Sequence, residues 1–155
     1  MIETLEAGAR PSAASSPRRV RIVTDLGGML VELYSDRAPK TVAAFLAEVM
    51  AGSFDGGNFG RIVRGDTDRG TPAIEVIQGM AAPVGEPRAD VEHEGTAASG
   101  LLHEDGTVSL PRIDGGLASA QGFFICVGRQ PALDEGGGRT ADGLGFAAFG
   151  RVIAG

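Results

Sequence analysis

The chain carries one cysteine, one lysine and no apolar run approaching the ~20 residues of a membrane span. With Cys126 alone, an intrachain disulfide is excluded and a thiolate metal cage is disfavoured; its apolar neighbours mark it as a buried core thiol. Positive charge is scarce: 14 Lys and Arg stand against 20 Asp and Glu, a formal charge of −6. Such a surface lacks the basic face that displaces counterions from a phosphate backbone, so no nucleic-acid partner is expected. Residues 1–19 hold no apolar stretch of signal-peptide length, and a cytoplasmic protein with no membrane partner is the expectation. No repeat period is present to indicate a solenoid.

What is present is a chain of 155 residues with 43% hydrophobic content, enough for one domain with a single core. Residues 1–17, rich in small residues and proline, read as a flexible tail, which leaves 18–155 as the domain. Val20 to Thr24, the Gly27-Gly28 turn and the alternation from Met29 to Tyr34 predict a hairpin. Pro39 suits a first helical position, and Val42, Phe45, Leu46 and Val49 form one apolar stripe on a helix that stops at Gly52. Asn58 to Val63 and Ile74 to Gln78 read as strands joined by a polar loop, and Ala81 to Gly100 as surface chain. Thr107 to Leu110, Phe123 to Val127 and Phe146 to Ile153 are further strands. Many short strands, 25 glycines and one clear helix predict a mainly β fold, a closed or nearly closed antiparallel barrel.

Few motifs carry chemistry. Gly143, Gly145 and Gly150 do not follow the G-x-G-x-x-G spacing between strand and helix, and no cofactor is expected. His93 and His103 have acidic neighbours but match neither H-E-x-x-H nor a zinc pattern, so no metal site is expected. Ser109, Ser119 and Asp134 could be drawn into a hydrolase triad with either histidine, yet no G-x-S-x-G elbow supports it; they read as loop and turn residues. Alternation puts Phe59, Arg61 and Val63 on one strand face, leaning Arg61 inward, where a guanidinium needs either an ion-pair partner or a functional purpose. Spacing leaves both open, and Gln78 shares the ambiguity. Phe123 and Phe124 face opposite ways on a strand, so one of them lines a second surface.

Taken in order, these segments resemble the cyclophilin peptidyl-prolyl isomerases over residues 18–155. Leu33-Tyr34 through Ala38-Pro39-Lys40-Thr41-Val42 and Phe45 is similar to that family's first strand pair and helix. Phe54-Asp55-Gly56 leading to Phe59-Gly60-Arg61 resembles the segment with the catalytic arginine, and Ile77-Gln78-Gly79 the segment with the active-site glutamine. Gly106 to Leu110 precedes the pocket loop at Pro111, and Phe123-Phe124-Ile125-Cys126, Leu133-Asp134 and Phe149-Gly150 complete the order. Inserts at 64–73 and 135–145 look like a bacterial subgroup.

The resemblance implies an eight-stranded antiparallel barrel with its groove on the outside. It implies Arg61 and Gln78 as catalytic residues, Phe124, Leu133, Val76, Phe146 and Pro111 as substrate-binding residues, and proline-containing peptides and flexible or unfolded protein segments as partners. The implied activity is peptidyl-prolyl cis-trans isomerisation; the alternative is a proline-peptide binding or chaperone module without catalysis. Gly60, Glu75-Val76, Met80, Gly122 and Phe146 depart from the usual pocket pattern. Ala132 stands where many cyclosporin-sensitive members have tryptophan, so cyclosporin binding is expected to be weak or absent. The sequence ends at Gly155, before the family's second helix and closing strand, which predicts either an open edge beside Val20 to Thr24 or another element covering it.

Overall fold

A computed structural model describes residues 2–5, 17–82, 90–113 and 117–155. Its elements are β1 (Ile2–Leu5), β2 (Arg18–Thr24), β3 (Gly27–Leu33), α1 (Pro39–Met50), β4 (Asn58–Val63), β5 (Val76–Met80), α2 (Thr96–Ser99), β6 (Thr107–Leu110), β7 (Gly122–Cys126), a 3-10 turn (Pro131–Leu133) and β8 (Ala147–Ala154). The strands form one eight-stranded sheet in the order β1-β2-β3-β8-β6-β7-β5-β4, antiparallel throughout. The fold is therefore mainly β, as expected. The sheet curls into a half-barrel with β1 and β4 as its two edges, which is the nearly closed form rather than the closed one.

The apolar stripe of α1 fills the concave face: Val42, Phe45, Leu46 and Val49 are all buried. Phe45 is the hub, with ring centroids 5.5 Å from Phe54, 5.9 Å from Phe123 and 5.0 Å from Phe149. Burying one such ring contributes about 1.5–3 kcal/mol from area alone. Strand β5 passes close over this cluster, and Gly79 is required there: a Cβ would come within 2.5 Å of the Phe123 ring. The helix has no side-chain cap of its own. Glu94 supplies one from a distant segment, accepting from the backbone N–H of Lys40 and Thr41 at 3.2 and 2.7 Å and from the Thr41 hydroxyl at 2.6 Å. A carboxylate there satisfies orphan donors and complements the helix dipole.

Two expectations are corrected. Residues 1–17 do not all form a tail: Ile2–Leu5 pairs with β2, Ile2 opposite Ile22, and Ile2 packs into the core at 7% exposure. Four residues are too few to display an alternation, but β2 offers a row of free backbone groups and α1 an apolar surface, and β1 satisfies both. It covers the edge along Arg19 to Ile22. The rest of the expected tail, residues 6–16, lies outside the described residues. Second, Phe59, Arg61 and Val63 do not share a face. The register shifts between Asn58 and Arg61, because β4 spends three steps where β5 spends two, and this bulge turns Phe59 into the core while Arg61 faces out.

If β1 is part of the core, Ile2→Ala should cost about 2 kcal/mol in urea unfolding. A residue in a flexible tail would change stability by no more than about 0.5 kcal/mol.

Candidate active site

On the convex face the registers line up four strands. Arg61 of β4 sits opposite Gln78 of β5, Gln78 opposite Phe124 of β7, and Phe124 opposite Ser109 of β6. Facing neighbours in a sheet have Cβ atoms about 5 Å apart, so a cation, an amide and an aromatic ring form one continuous strip. Arg61 is exposed rather than partly buried, and neither it nor the half-buried Gln78 makes a side-chain hydrogen bond or ion pair with another described residue. Of the two roles open to Arg61, the structural ion pair thus finds no partner among the described residues.

The strip borders a second apolar cluster, separate from the main core: Val63, Ile74, Val76, Phe124, Cys126, Ala132 and Leu133, with Phe146 packed against it. Phe123 and Ile125 belong to the main core, and Phe124 and Cys126 to this one, as the two-residue period of β7 demands. Two rings contact Phe124. Phe146 meets it edge-on at 5.4 Å and 88°, and His103 stacks on it at 6.0 Å and 16°. Burial pushes the Cys126 thiol up to about 12, helped by the charges of Asp134 and Asp105, so it is an inert core thiol.

His103 and its partners are a third correction. They are not ordinary loop residues: Asp134 Oδ1 accepts from His103 Nδ1 at 2.8 Å and from the His103 backbone N–H at 2.9 Å, and His103 Nε2 lies 3.0 Å from Ser109 Oγ. Burial pulls the His103 pKa below its ordinary value, against the opposing hydrogen bond and charge of Asp134. A neutral ring with its proton on Nδ1 then accepts from the Ser109 hydroxyl. The order Ser-His-Asp is that of a hydrolase, but Ser109 and His103 are both fully buried and no solvent-borne substrate reaches the hydroxyl.

The two inserts are flanked by cluster residues, 64–73 by Val63 and Ile74 and 135–145 by Leu133 and Phe146, and two bidentate arginine pairs hold them. Arg139 donates to Asp68 through Nη1 at 2.7 Å and Nη2 at 3.0 Å, and to the Pro72 carbonyl at 2.8 Å, tying insert 135–145 to insert 64–73. Arg112 donates to Asp142 at 2.9 and 2.6 Å and to the Gly145 carbonyl at 3.1 Å. The Gly145 backbone, at φ +63°, lies so close over the Leu133-Asp134 turn that a Cβ would come within 2.5 Å of the Leu133 carbonyl oxygen. Hydrogen bonds from Arg139, Gly70 and Ile74 lower the Asp68 pKa from 3.8 to about 2, and Arg112 holds Asp142 well below the usual carboxylate range.

Of the residues expected at a site, Arg61, Gln78, Phe124, Val76, Leu133 and Phe146 are brought together. Pro111 is not in the apolar cluster; it stands farther along the face beside Gly122, its Cγ 3.4 Å from where a Gly122 Cβ would be. His103, Asp68, Arg139, Arg112 and Asp142 were not foreseen as parts of one site, because each acts through a partner distant in sequence. The one available signal was the position of Asp68 and Arg139 within the two inserts. A cavity of about 790 Å³ lies elsewhere, between the β1–β2 edge and the start of β4, lined by Ile2, Ile22, Met29, Phe54, Phe59 and Met80 among others. No residue expected at the site lines it. Among the described residues no helix is long and apolar enough to cross a membrane.

The fold and site define a mainly β protein, an antiparallel half-barrel whose convex face sets a cation and an amide beside a second apolar cluster, with no metal-ligating group among the described residues. The family model of the cyclophilin type peptidyl-prolyl cis-trans isomerases/CLD matches residues 19–155, and the chain belongs to that family. It is 32% identical over 139 residues to a peptidyl-prolyl cis-trans isomerase of Streptomyces antibioticus, covering 88% of this chain and 77% of the relative. It is likewise 32% identical over 142 residues to one of Schizosaccharomyces pombe, covering 88% and 79%. A cyclophilin type peptidyl-prolyl cis-trans isomerase of Cryptosporidium parvum, crystallised in the presence of the dipeptide Ala-Pro, shares the fold with a TM-score of 0.65 at 23% identity, covering 88% of this chain and 79% of that one.

The depressed pKa of Asp68 carries a sign that can be checked. A carboxylate whose folded pKa lies below its unfolded value contributes stability that is complete above pH ~4 and is lost as pH falls toward 2. Asp68→Asn should therefore lower the urea midpoint at pH 7 and flatten its decline between pH 4 and 2. An unchanged acid limb would mean that the Asp68–Arg139 clamp does not tie the two inserts together in solution.

Proposed function

We propose that this chain is an enzyme that accelerates cis-trans rotation of X-Pro bonds in peptides and in flexible or folding protein segments, with Arg61 and Gln78 as its catalytic residues. The reaction breaks amide resonance against a barrier of about 20 kcal/mol and forms no covalent intermediate. Catalysis therefore needs only tighter binding of the twisted amide than of the planar one. As resonance is lost the prolyl nitrogen regains its lone pair, and Arg61 donates a hydrogen bond to it. A guanidinium suits this task because it stays charged and presents a rigid fork of donors. Phe124, Leu133, Val76 and Phe146 grip and desolvate the pyrrolidine ring, Pro111 borders the neighbouring residue of the peptide, and Gln78 anchors a substrate carbonyl and orients Arg61.

The observation that carries this reading is the state of Arg61: exposed, without an ionic partner among the described residues, and in register with Gln78 and Phe124. Family membership and the names of the relatives support it. Ala132, standing where a ring would grip a large cyclic ligand, supports weak or no cyclosporin binding. Arg61→Ala should lower kcat/KM on an Ala-Pro-Phe type peptide by about a hundredfold, the scale of removing one preorganised donor. Its stability should stay within about 0.5 kcal/mol of wild type. A folded wild type that binds the peptide but leaves its isomerisation rate unchanged would establish the non-catalytic binding module instead.

A further inference from the structure

Behind Phe124 of the second apolar cluster lies a chain of three side chains that isomerisation itself does not call on. Asp134 Oδ1 takes two hydrogen bonds from His103, one from the ring and one from the backbone, and the ring takes one from Ser109. The imidazole is thereby fixed in tautomer and in plane, because rotation about either of its bonds breaks one of the two ring contacts. Its face lies against the Phe124 ring at 16°. Ser109 is also the cross-strand neighbour of Phe124, so the chain begins and ends on pieces of the pocket: Ser109 beside the floor, and Asp134 directly after the wall residue Leu133. The Leu133 carbonyl in turn accepts from the Phe146 backbone N–H at 3.0 Å, and the Phe146 ring meets Phe124 edge-on.

Burying a histidine, a serine and most of a carboxylate costs stability unless every polar atom is matched. Here they are matched, at fully buried His103 and Ser109, beneath a surface that apolar side chains could have packed without that risk. An apolar filler would leave the Phe124 ring to settle by shape alone, whereas a hydrogen-bonded imidazole gives it a fixed plane to stack on.

We propose that His103, held by Asp134 and Ser109, is a positioning residue for the isomerase, acting through Phe124 to set the floor of the proline pocket. This rests on the isomerase reading above. The twisted amide is grasped through its pyrrolidine ring, so a floor that tilts loses transition-state contacts as well as substrate contacts; a 1 Å misplacement can cost about a hundredfold in rate.

The test uses the full chain as wild type, Ser109→Ala and His103→Asn, the asparagine amide retaining a donor toward Asp134. For each, kcat and KM are measured separately on an Ala-Pro-Phe type peptide, the urea midpoint is recorded, and the Phe124 ring resonances are followed by aromatic carbon–proton NMR. Ile2→Ala serves as a variant destabilised far from the pocket. The expected result is a fall in kcat/KM of about tenfold for both variants, with kcat itself reduced and the Phe124 resonances moved, while Ile2→Ala keeps wild-type kinetics and Phe124 shifts despite its lower midpoint. If His103→Asn fails to fold, Ser109→Ala carries the same readouts with the smaller perturbation. Wild-type kcat/KM and unmoved Phe124 resonances in the folded variants would overturn the proposal. A wild type with no isomerase activity would overturn the isomerase reading instead, and the response of the Phe124 resonances would still decide whether His103 positions the ring.

Discussion

Strand β7 is apolar at every position, and successive residues of a strand must point to opposite faces. That constraint shapes the molecule. Phe123 and Ile125 turn into the half-barrel, where Phe45, Phe54 and Phe149 close around them under α1. Phe124 and Cys126 then have nowhere to go but the convex face, which a simple sheet would give to water. A second apolar layer must be assembled there, and Ala132, Leu133 and Phe146 from the chain between β7 and β8 help supply it. The barrel core and the second apolar cluster are the two sides of one strand.

Holding loops against a convex sheet is harder than filling a barrel, because loops bring backbone polar groups with them and bury little apolar area. The chain uses charge for this. Arg139 and Arg112 are each largely buried, each forks onto one carboxylate, and each also takes a backbone carbonyl. Such pairs have geometry that scattered surface ion pairs lack. The scarcity of lysine fits the same economy of means: planar guanidinium groups recur where orientation matters. Arg61 is the contrast, exposed on its strand and left without a carboxylate among the described residues. In the proposed isomerase, such a guanidinium beside an amide and an aromatic ring would hydrogen-bond a weak, transient acceptor, which is what a prolyl nitrogen becomes as its amide twists.

Much of this was legible one strand at a time. The hairpin around Gly27-Gly28, the stripe on α1, the proline at its first turn and the opposed faces of Phe123 and Phe124 all follow from local periodicity, and so does the mainly β class. Arg61, Gln78, Phe124, Leu133, Val76 and Phe146 could be named because they sit in short segments resembling a family pattern. Periodicity failed where an element was too short to repeat, as in β1, or where a bulge interrupted the count, as between Asn58 and Arg61. It also could not see groups whose meaning lies in a distant partner. His103 next to Glu104 and Asp105 reads as an exposed turn residue, and only its bonds to Asp134 and Ser109 make it a buried one.

The sequence by itself determined which faces are apolar, where the chain turns and which side chains can donate, grip or fill, since these depend on residue type and on spacing of a few positions. Tertiary structure alone decided what those side chains meet: Ile2 completing an edge, Glu94 capping a helix that begins 55 residues earlier at Pro39, and two inserts clamped to each other by Asp68 and Arg139. It also decided that Arg61 faces outward in register with Gln78 and that a Ser-His-Asp chain is buried behind Phe124 rather than open to solvent. The physical reason is the same throughout. Hydrogen bonds, ion pairs and ring contacts act over a few ångströms in space, and nothing local in a sequence records which distant residue will fill that distance.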